Sequence, residues 1–234
     1  MPNHVTTLCK VSGSPAAVLT FREKHITKGK DENSGEEYEN FDFQTIIPKP
    51  AILRETTSGS EEILGLAALV GDVISIDFER SFPFLKSEMK LKGPPIHHAE
   101  QVRAWLAKHR PKALEAGRLS ARAIAETGYP DWYQWAIANW GTKWDAYEYK
   151  ELPSSSGPDL FVFQFNTAWS FPEPIFEKLA ELHPELRFEV ESVDEGGPEY
   201  AGHYAGKDQH FDVVPESRDR RFRVYGYDPN AGEN

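Results

Sequence analysis

Gly157-Pro158-Asp159-Leu160-Phe161-Val162-Phe163-Gln164-Phe165 is the stretch that decides the fold. Leu160, Val162 and Gln164 alternate with Phe161, Phe163 and Phe165, so both faces of an extended chain are apolar there. A strand buried on both sides belongs in the middle of a sheet. The turn from Pro153 to Pro158 precedes it. A helix is expected after it, with Pro172 and Pro174 near the start and Ile175, Phe176, Leu179 and Leu182 turned inward. Phe188 to Val193 then reads as another strand, Gly196-Gly197 as a turn, and Tyr200 to Tyr204 as a further strand. Arg221 to Tyr227 is expected to be one more.

The beginning of the chain repeats this logic. His4 to Val11 is rich in β-branched residues and reads as a strand. Ser14 can cap a helix whose first turn contains Pro15, with Val18, Phe21 and His25 at helical spacing. Residues 28–40 are charged and glycine-containing and read as an exposed loop, and Phe41 to Ile46 as a half-buried strand that ends before Pro48 and Pro50. A helix should start near Glu61 and end near Gly71; Asp72 to Phe78 fits either a strand or a helix tail. After the breaker at 92–96, Val102, Trp105, Leu106 and His109 mark one helix and Leu114 to Ala125 a second, with Pro111 breaking between them and Gly128 closing. A third helix opens at Pro130, carries Trp132, Trp135 and Ala136, and ends before Gly141. The expected class is α+β, a split βαβ sheet with an inserted helical region. The parts are 1–96, the N-terminal strand–helix part of the sheet domain; 97–141, a helical insertion or subdomain; and 142–234, the C-terminal part.

Composition narrows the function classes. The 234 residues carry 37 acidic and 26 basic side chains, a net charge of −11, which opposes any general affinity for nucleic acid or anionic membrane. At 39% hydrophobic and 12% aromatic residues, the chain has enough core formers to fold. A single cysteine, Cys9, excludes an internal disulfide and suits a reducing compartment. The longest apolar stretch, Ile63 to Val70, is far too short to span a membrane, and the amino terminus has no signal-peptide pattern, so a cytoplasmic protein is expected.

Four segments carry a family resemblance: Met1-Pro2-Asn3-His4-Val5-Thr6; Phe41-Asp42-Phe43 with Ile46-Ile47-Pro48-Lys49-Pro50 and Thr56-Thr57-Ser58-Gly59-Ser60; Asn139-Trp140-Gly141-Thr142-Lys143-Trp144-Asp145-Ala146; and Phe165-Asn166-Thr167-Ala168-Trp169-Ser170-Phe171-Pro172. In that order they resemble the YubB-like family of uncharacterised proteins. Lys49 stands where methionine is usual and Phe171 where proline is usual. The resemblance implies a ferredoxin-like domain and a gene carried by plasmids or phages. It implies no catalytic residues.

The tryptophans are the most unusual feature. Trp132, Trp135, Trp140, Trp144 and Trp169 lie in or beside two of those motifs. They can fill a core, or Trp140, Lys143, Trp144, Thr167 and Trp169 can line a groove for a ligand or partner. Two acidic segments, represented by Glu36 and Glu37 and by Glu189, Glu191 and Glu195, can be solvated surface or a phosphate-like face for a host protein. Arg218, Arg220, Arg221 and Arg223 counter them near the carboxyl end. The pairs His97–His98 and His203–His210 match no zinc spacing, and there is no phosphate loop or nucleophile-elbow motif, so no metal, cofactor or catalytic residue is assigned. The leading reading is a non-enzymatic interaction protein of a mobile element acting on a host protein. The alternatives are a ligand binder or enzyme with its pocket at the tryptophans, and a single-stranded nucleic-acid binder on the sheet face.

Overall fold

The computed structural model describes residues 3–30, 35–69 and 98–226. Contacts divide the chain into one unit of residues 1–48 and 136–234 and a second of residues 49–135. The readings at Gly71, Asp72 to Phe78, 92–96 and His97 lie outside the described residues.

The first unit holds a six-stranded antiparallel sheet in the order β4-β5-β1-β6-β7-β8. Its strands are β1 (His4–Ser12), β4 (Tyr147–Glu151), β5 (Leu160–Ala168), β6 (Arg187–Asp194), β7 (Glu199–Ala205) and β8 (Asp208–Val214). The stretch quoted first is central as expected: β5 pairs with β1 through Cys9 opposite Phe163, and with β4 on its other edge. Strand β1 lies between β5 and β6, with Cys9 also opposite Val190. Helix α1 (Pro15–His25) follows β1, and a later helix, Glu173–Leu182, joins β5 to β6. Two split βαβ units interlocked in this way make the ferredoxin-like arrangement, and β7 and β8 extend it as a meander.

Side-chain alternation assigns each sheet face a role. Phe161, Phe163, Phe165 and Phe188 are buried with Phe21 and His25 of α1 and with Ile175, Phe176 and Leu179 of the Glu173–Leu182 helix. Ser14 caps α1, its Oγ accepting from Ala17 N–H at 3.3 Å. Leu182, expected to point inward, is exposed at the end of its helix. On the opposite face Leu8, Val162 and Val193 pack against Val224 of a helix at Arg218–Tyr225. Residues 221–225, read above as a strand, are therefore helical. Phe222 and Val224 happen to alternate with arginines, but the Ser217 side chain caps the start and Gly226 closes the end at φ 74°.

The stretch expected as an open loop, 28–40, differs where it is described: β2 (Ile26–Lys30) pairs antiparallel with β3 (Glu37–Phe41). A 3-10 turn at Phe43–Thr45 replaces the expected strand through Ile46, because the Asp42 carboxylate accepts from Gln44 N–H and ends the extended run.

The second unit is helical. It comprises α2 (Ala51–Glu55), α3 (Ser60–Leu69), α4 (His98–His109), α5 (Pro111–Thr127) and the start of α6 (Trp132–Trp140), inside which the division falls. Pro111 separates α4 from α5, and Gly128 ends α5 at φ 82°. Val102 and Leu106 are buried with Leu64, Ala68, Ala113 and Leu114. The helices between β5 and β6 and after β8 are α7 (Glu173–Leu182) and α8 (Arg218–Tyr225).

Candidate interaction site

The five residues of the expected groove separate. Trp140 and Thr167 are core residues, whereas Trp144 and Trp169 are 39% and 42% exposed. The Trp140 indole N–H donates to Ile47 O at 2.9 Å and its ring meets Phe43 edge-on. The Thr167 hydroxyl donates to Ser170 O at 2.7 Å. A groove lined by all five is thus corrected to an exposed pair of indoles above a buried support, since a side chain committed to the core cannot line a surface cleft.

Lys143 links the exposed pair. Its Nζ lies 4.6 Å from the Trp144 ring centroid and 4.7 Å from that of Trp169, within cation–π range of both. Trp169 holds φ 74°, a left-handed backbone that a bulky residue adopts only under constraint. The constraints are visible. Trp169 N–H donates to Asn3 O at 2.9 Å, the Thr142 hydroxyl donates to Ala168 O at 2.8 Å, and the Ser170 hydroxyl donates to Gly141 O. Gly141 itself sits at φ 75°. Beyond Trp144 the aromatic tract continues into Tyr147 and His4, which are joined by a 2.7 Å hydrogen bond from His4 Nδ1 to the tyrosine oxygen. Burial first, then Glu148 and Glu195, push the Tyr147 hydroxyl up to about 12, so it keeps its proton and donates to Thr167 O.

Several carboxylates of the second acidic segment are bonded within the fold, Glu189, Glu191 and Glu199 to arginines. Glu189 accepts from Arg187 and Glu195 from His4 N–H. Glu37 lies opposite Lys30 across the β2–β3 hairpin. Glu191 takes a bidentate pair from Arg223. Glu199 is fully buried, accepting from Arg220 and Arg221 at 2.6 Å each and from Ser217 N–H at 3.0 Å. Burial pushes the Glu199 carboxyl up, but the hydrogen bonds from Arg221, Arg220 and Ser217 outweigh it and hold it below the usual range. The arginines of α8 thus answer the acidic run of β6 and β7, and α8 is clamped over the sheet. Glu36 is exposed.

A concavity of about 510 Å³ lies on this same sheet face, lined by Lys10, Arg187, Glu189, Glu191, His203, His210 and Arg223 among others. The aromatic side chains of β5 and β6 face the opposite, helix-covered side. His203 and His210 face each other across β7 and β8, their rings 6.3 Å apart. Among the described residues, no three or more His, Cys, Asp or Glu side chains are grouped to hold a metal ion. Burial pushes the Cys9 thiol up, which leaves it a poor nucleophile.

A pair that sequence reading missed is His25 with His183. The two are 158 positions apart and share no local motif. The Thr45 hydroxyl donates to Asp42 O at 2.7 Å, so it accepts from His25 Nδ1–H at 2.6 Å. His25 Nε2 is then the acceptor for His183 Nε2–H at 2.9 Å. His183 Nδ1 faces Glu185 at 3.7 Å. Burial, with the nearby charges of His183 and Lys24, lowers His25 from 6.5 to about 3. A base lowered on folding contributes its full stability above 6.5 and loses it as pH falls toward 3. Denaturant unfolding should therefore show a loss of about 2 kcal/mol between pH 7.5 and pH 5. His25→Gln should flatten that slope, and an unchanged slope in the variant would reject the assignment.

Residues 139–227 match the family model described as the ferredoxin-like domain in Api92-like protein. A search among curated proteins finds no match for the chain. Among solved structures, the crystal structure of the protein Api92 from Yersinia pseudotuberculosis is similar, with TM-score 0.44 and 9% identity, covering 93% of this chain and 99% of that one. Residues 139–227 thus form the larger part of a ferredoxin-like domain similar to that of Api92-like protein, completed by β1 and α1 from the start of the chain.

Proposed function

We propose that this chain is a non-enzymatic interaction protein that docks a protein partner on the Trp144–Lys143–Trp169 patch. The observation that carries this reading is the exposure of two neighbouring indoles on a loop locked in place, one of them at a strained φ of 74°. Exposed indoles gain most when a partner covers them, and tryptophan is enriched at the energetic centres of interfaces. Backbone strain persists where surrounding bonds over-determine it, and it clusters at binding sites. The arginine partners of Glu189 and Glu191 favour this patch over the second acidic face. The YubB-like resemblance supplies the rest of the proposal: a protein of a plasmid or phage, working in the host cytoplasm on a host protein.

The test is capture from host lysate with the whole chain and with Trp144→Ala/Trp169→Ala, followed by mass spectrometry. A host protein enriched by the wild type and lost by the double variant supports the reading. A partner kept equally by both moves the contact elsewhere, and no enriched partner rejects the function. Trp169→Gly is the companion variant. It removes the indole and the positive-φ strain together, so thermal unfolding should stay within about 1 kcal/mol of wild type while capture falls.

A further inference from the structure

One edge of the six-stranded sheet is open. Strand β8 ends the strand order, and among the described residues no strand pairs with its outer side. The other edge, β4, is broken by a register shift between Tyr147 and Lys150 and by Glu148 at φ 52°. Strand β8 is regular: Asp208 to Val214 pair residue for residue with Ala205 to Glu199. Asp208, Gln209, His210, Asp212 and Val213 are all exposed. An open edge presents unpaired backbone donors and acceptors, which proteins usually blunt with a bulge, proline or lysine. β8 contains none of these.

The ladder decides which backbone groups of β8 point outward. Asp194 N–H donates to Pro198 O. By alternation Tyr200, Gly202 and Tyr204 of β7 then bond to β6, and Glu199, Ala201, His203 and Ala205 bond to β8. Their partners Val214, Asp212, His210 and Asp208 are thereby engaged inward. The N–H and C=O groups of Gln209, Phe211 and Val213 are left facing outward. An independent contact agrees: Val213 N–H donates to Asp212 Oδ1 at 2.9 Å, a side-chain acceptor in the place of a strand.

We infer that β8 pairs antiparallel with β8 of a second copy of this chain, about a two-fold axis at Phe211, so that two sheets become one. The strand is self-complementary in that register: Asp208 faces Val214, Gln209 faces Val213, His210 faces Asp212, and Phe211 faces its own copy. His210 and Asp212 meet at the closely spaced, non-hydrogen-bonded positions of the new ladder, and symmetry makes the pair twice. Val213 N–H passes from Asp212 to the Gln209 carbonyl of the second copy, which frees the carboxylate for His210. Val213, 58% exposed in the single chain, comes to lie diagonally beside the second Phe211. Other registers are poorer. Moving the axis by one residue sets Asp212 against Asp212 or His210 against His210. Moving it by two brings Pro215, which has no N–H, or the turn residue Lys207 into the ladder. The seam does not involve the tryptophan patch.

Sedimentation equilibrium of the whole chain tests it. The 26.5 kDa species should give way to one of twice that mass as concentration rises. Val213→Pro removes an outward N–H and no bond to β7, so the chain should stay folded while association weakens at least tenfold. His210→Asp sets carboxylate against carboxylate at two places and should weaken association about tenfold. The exchange His210→Asp/Asp212→His rebuilds both pairs with their positions reversed and should recover affinity to within about threefold of wild type. A chain that stays monomeric up to about 100 μM, a dimer indifferent to Val213→Pro, or an exchange variant no better than His210→Asp would overturn the inference. Circular dichroism of each variant confirms that it is folded.

Discussion

Replacing Gly65 by alanine should destabilise the protein by about 3 kcal/mol or more, and Gly117→Ala should do the same. Helix propensity alone predicts the opposite sign, because alanine at an interior helix position is favoured over glycine by about 1 kcal/mol. The contact decides which wins. The new methyl carbon would sit 1.7 Å from a carbonyl oxygen at Gly65 and 2.2 Å from a carbonyl carbon at Gly117. Neither neighbour is a side chain that can rotate away, so the helices must separate. Leu64 and Ala68 of α3 and Ala113 and Leu114 of α5 would lose contact as they part. Urea unfolding gives the sign, and hydrogen exchange should rise first in 60–69 and 111–127. A variant more stable than wild type would remove the close crossing from the account.

The second large effect belongs to Trp140. Trp140→Ala should cost about 3–5 kcal/mol, the usual range for emptying a buried aromatic site. The side chain is 1% exposed, packs on Phe43, and satisfies Ile47 O with its N–H. Trp140→Phe separates the two contributions: it retains much of the apolar area but leaves the Ile47 carbonyl unmet, for a loss of about 1–2 kcal/mol. Trp144→Ala/Trp169→Ala should change stability far less, since both rings are substantially exposed. If all three indoles proved equally important to folding, the division between core and contact surface would fail.

What sequence could show follows from where burial is complete. Phe161, Phe163 and Phe165 alternate with Val162 and Leu160 because both sides of β5 are covered, and that pattern is local. The β2–β3 hairpin escaped notice for the opposite reason. Lys28 pairs with Glu39 and Lys30 faces Glu37, so its cross-strand partners are charged and its surface is wet, as a loop's would be. At residues 221–225 a two-residue alternation masked a helix whose only local signals were Ser217 and Gly226 at its ends. The tryptophans were legible as a group but not as two kinds, because whether an indole is covered depends on chain brought from elsewhere: Ile47 reaches Trp140, and Asn3 reaches Trp169. The His25–His183 pair depends on the same long-range assembly.

The central place of β1 has a consequence for biosynthesis. This strand is made before its neighbours on both sides, 160–168 and 187–194, the nearer of which follows about 150 residues later. At roughly 5–20 residues per second, that is a wait of about 8–30 s. Through that interval a segment with Val5, Leu8, Cys9 and Val11 destined for burial has no partner strand to receive it. Helices α2 to α5, whose contacts are closer in sequence, are translated during the wait and can form on far shorter timescales. Nascent β1 is therefore the segment on which a chaperone's hold during translation would matter most.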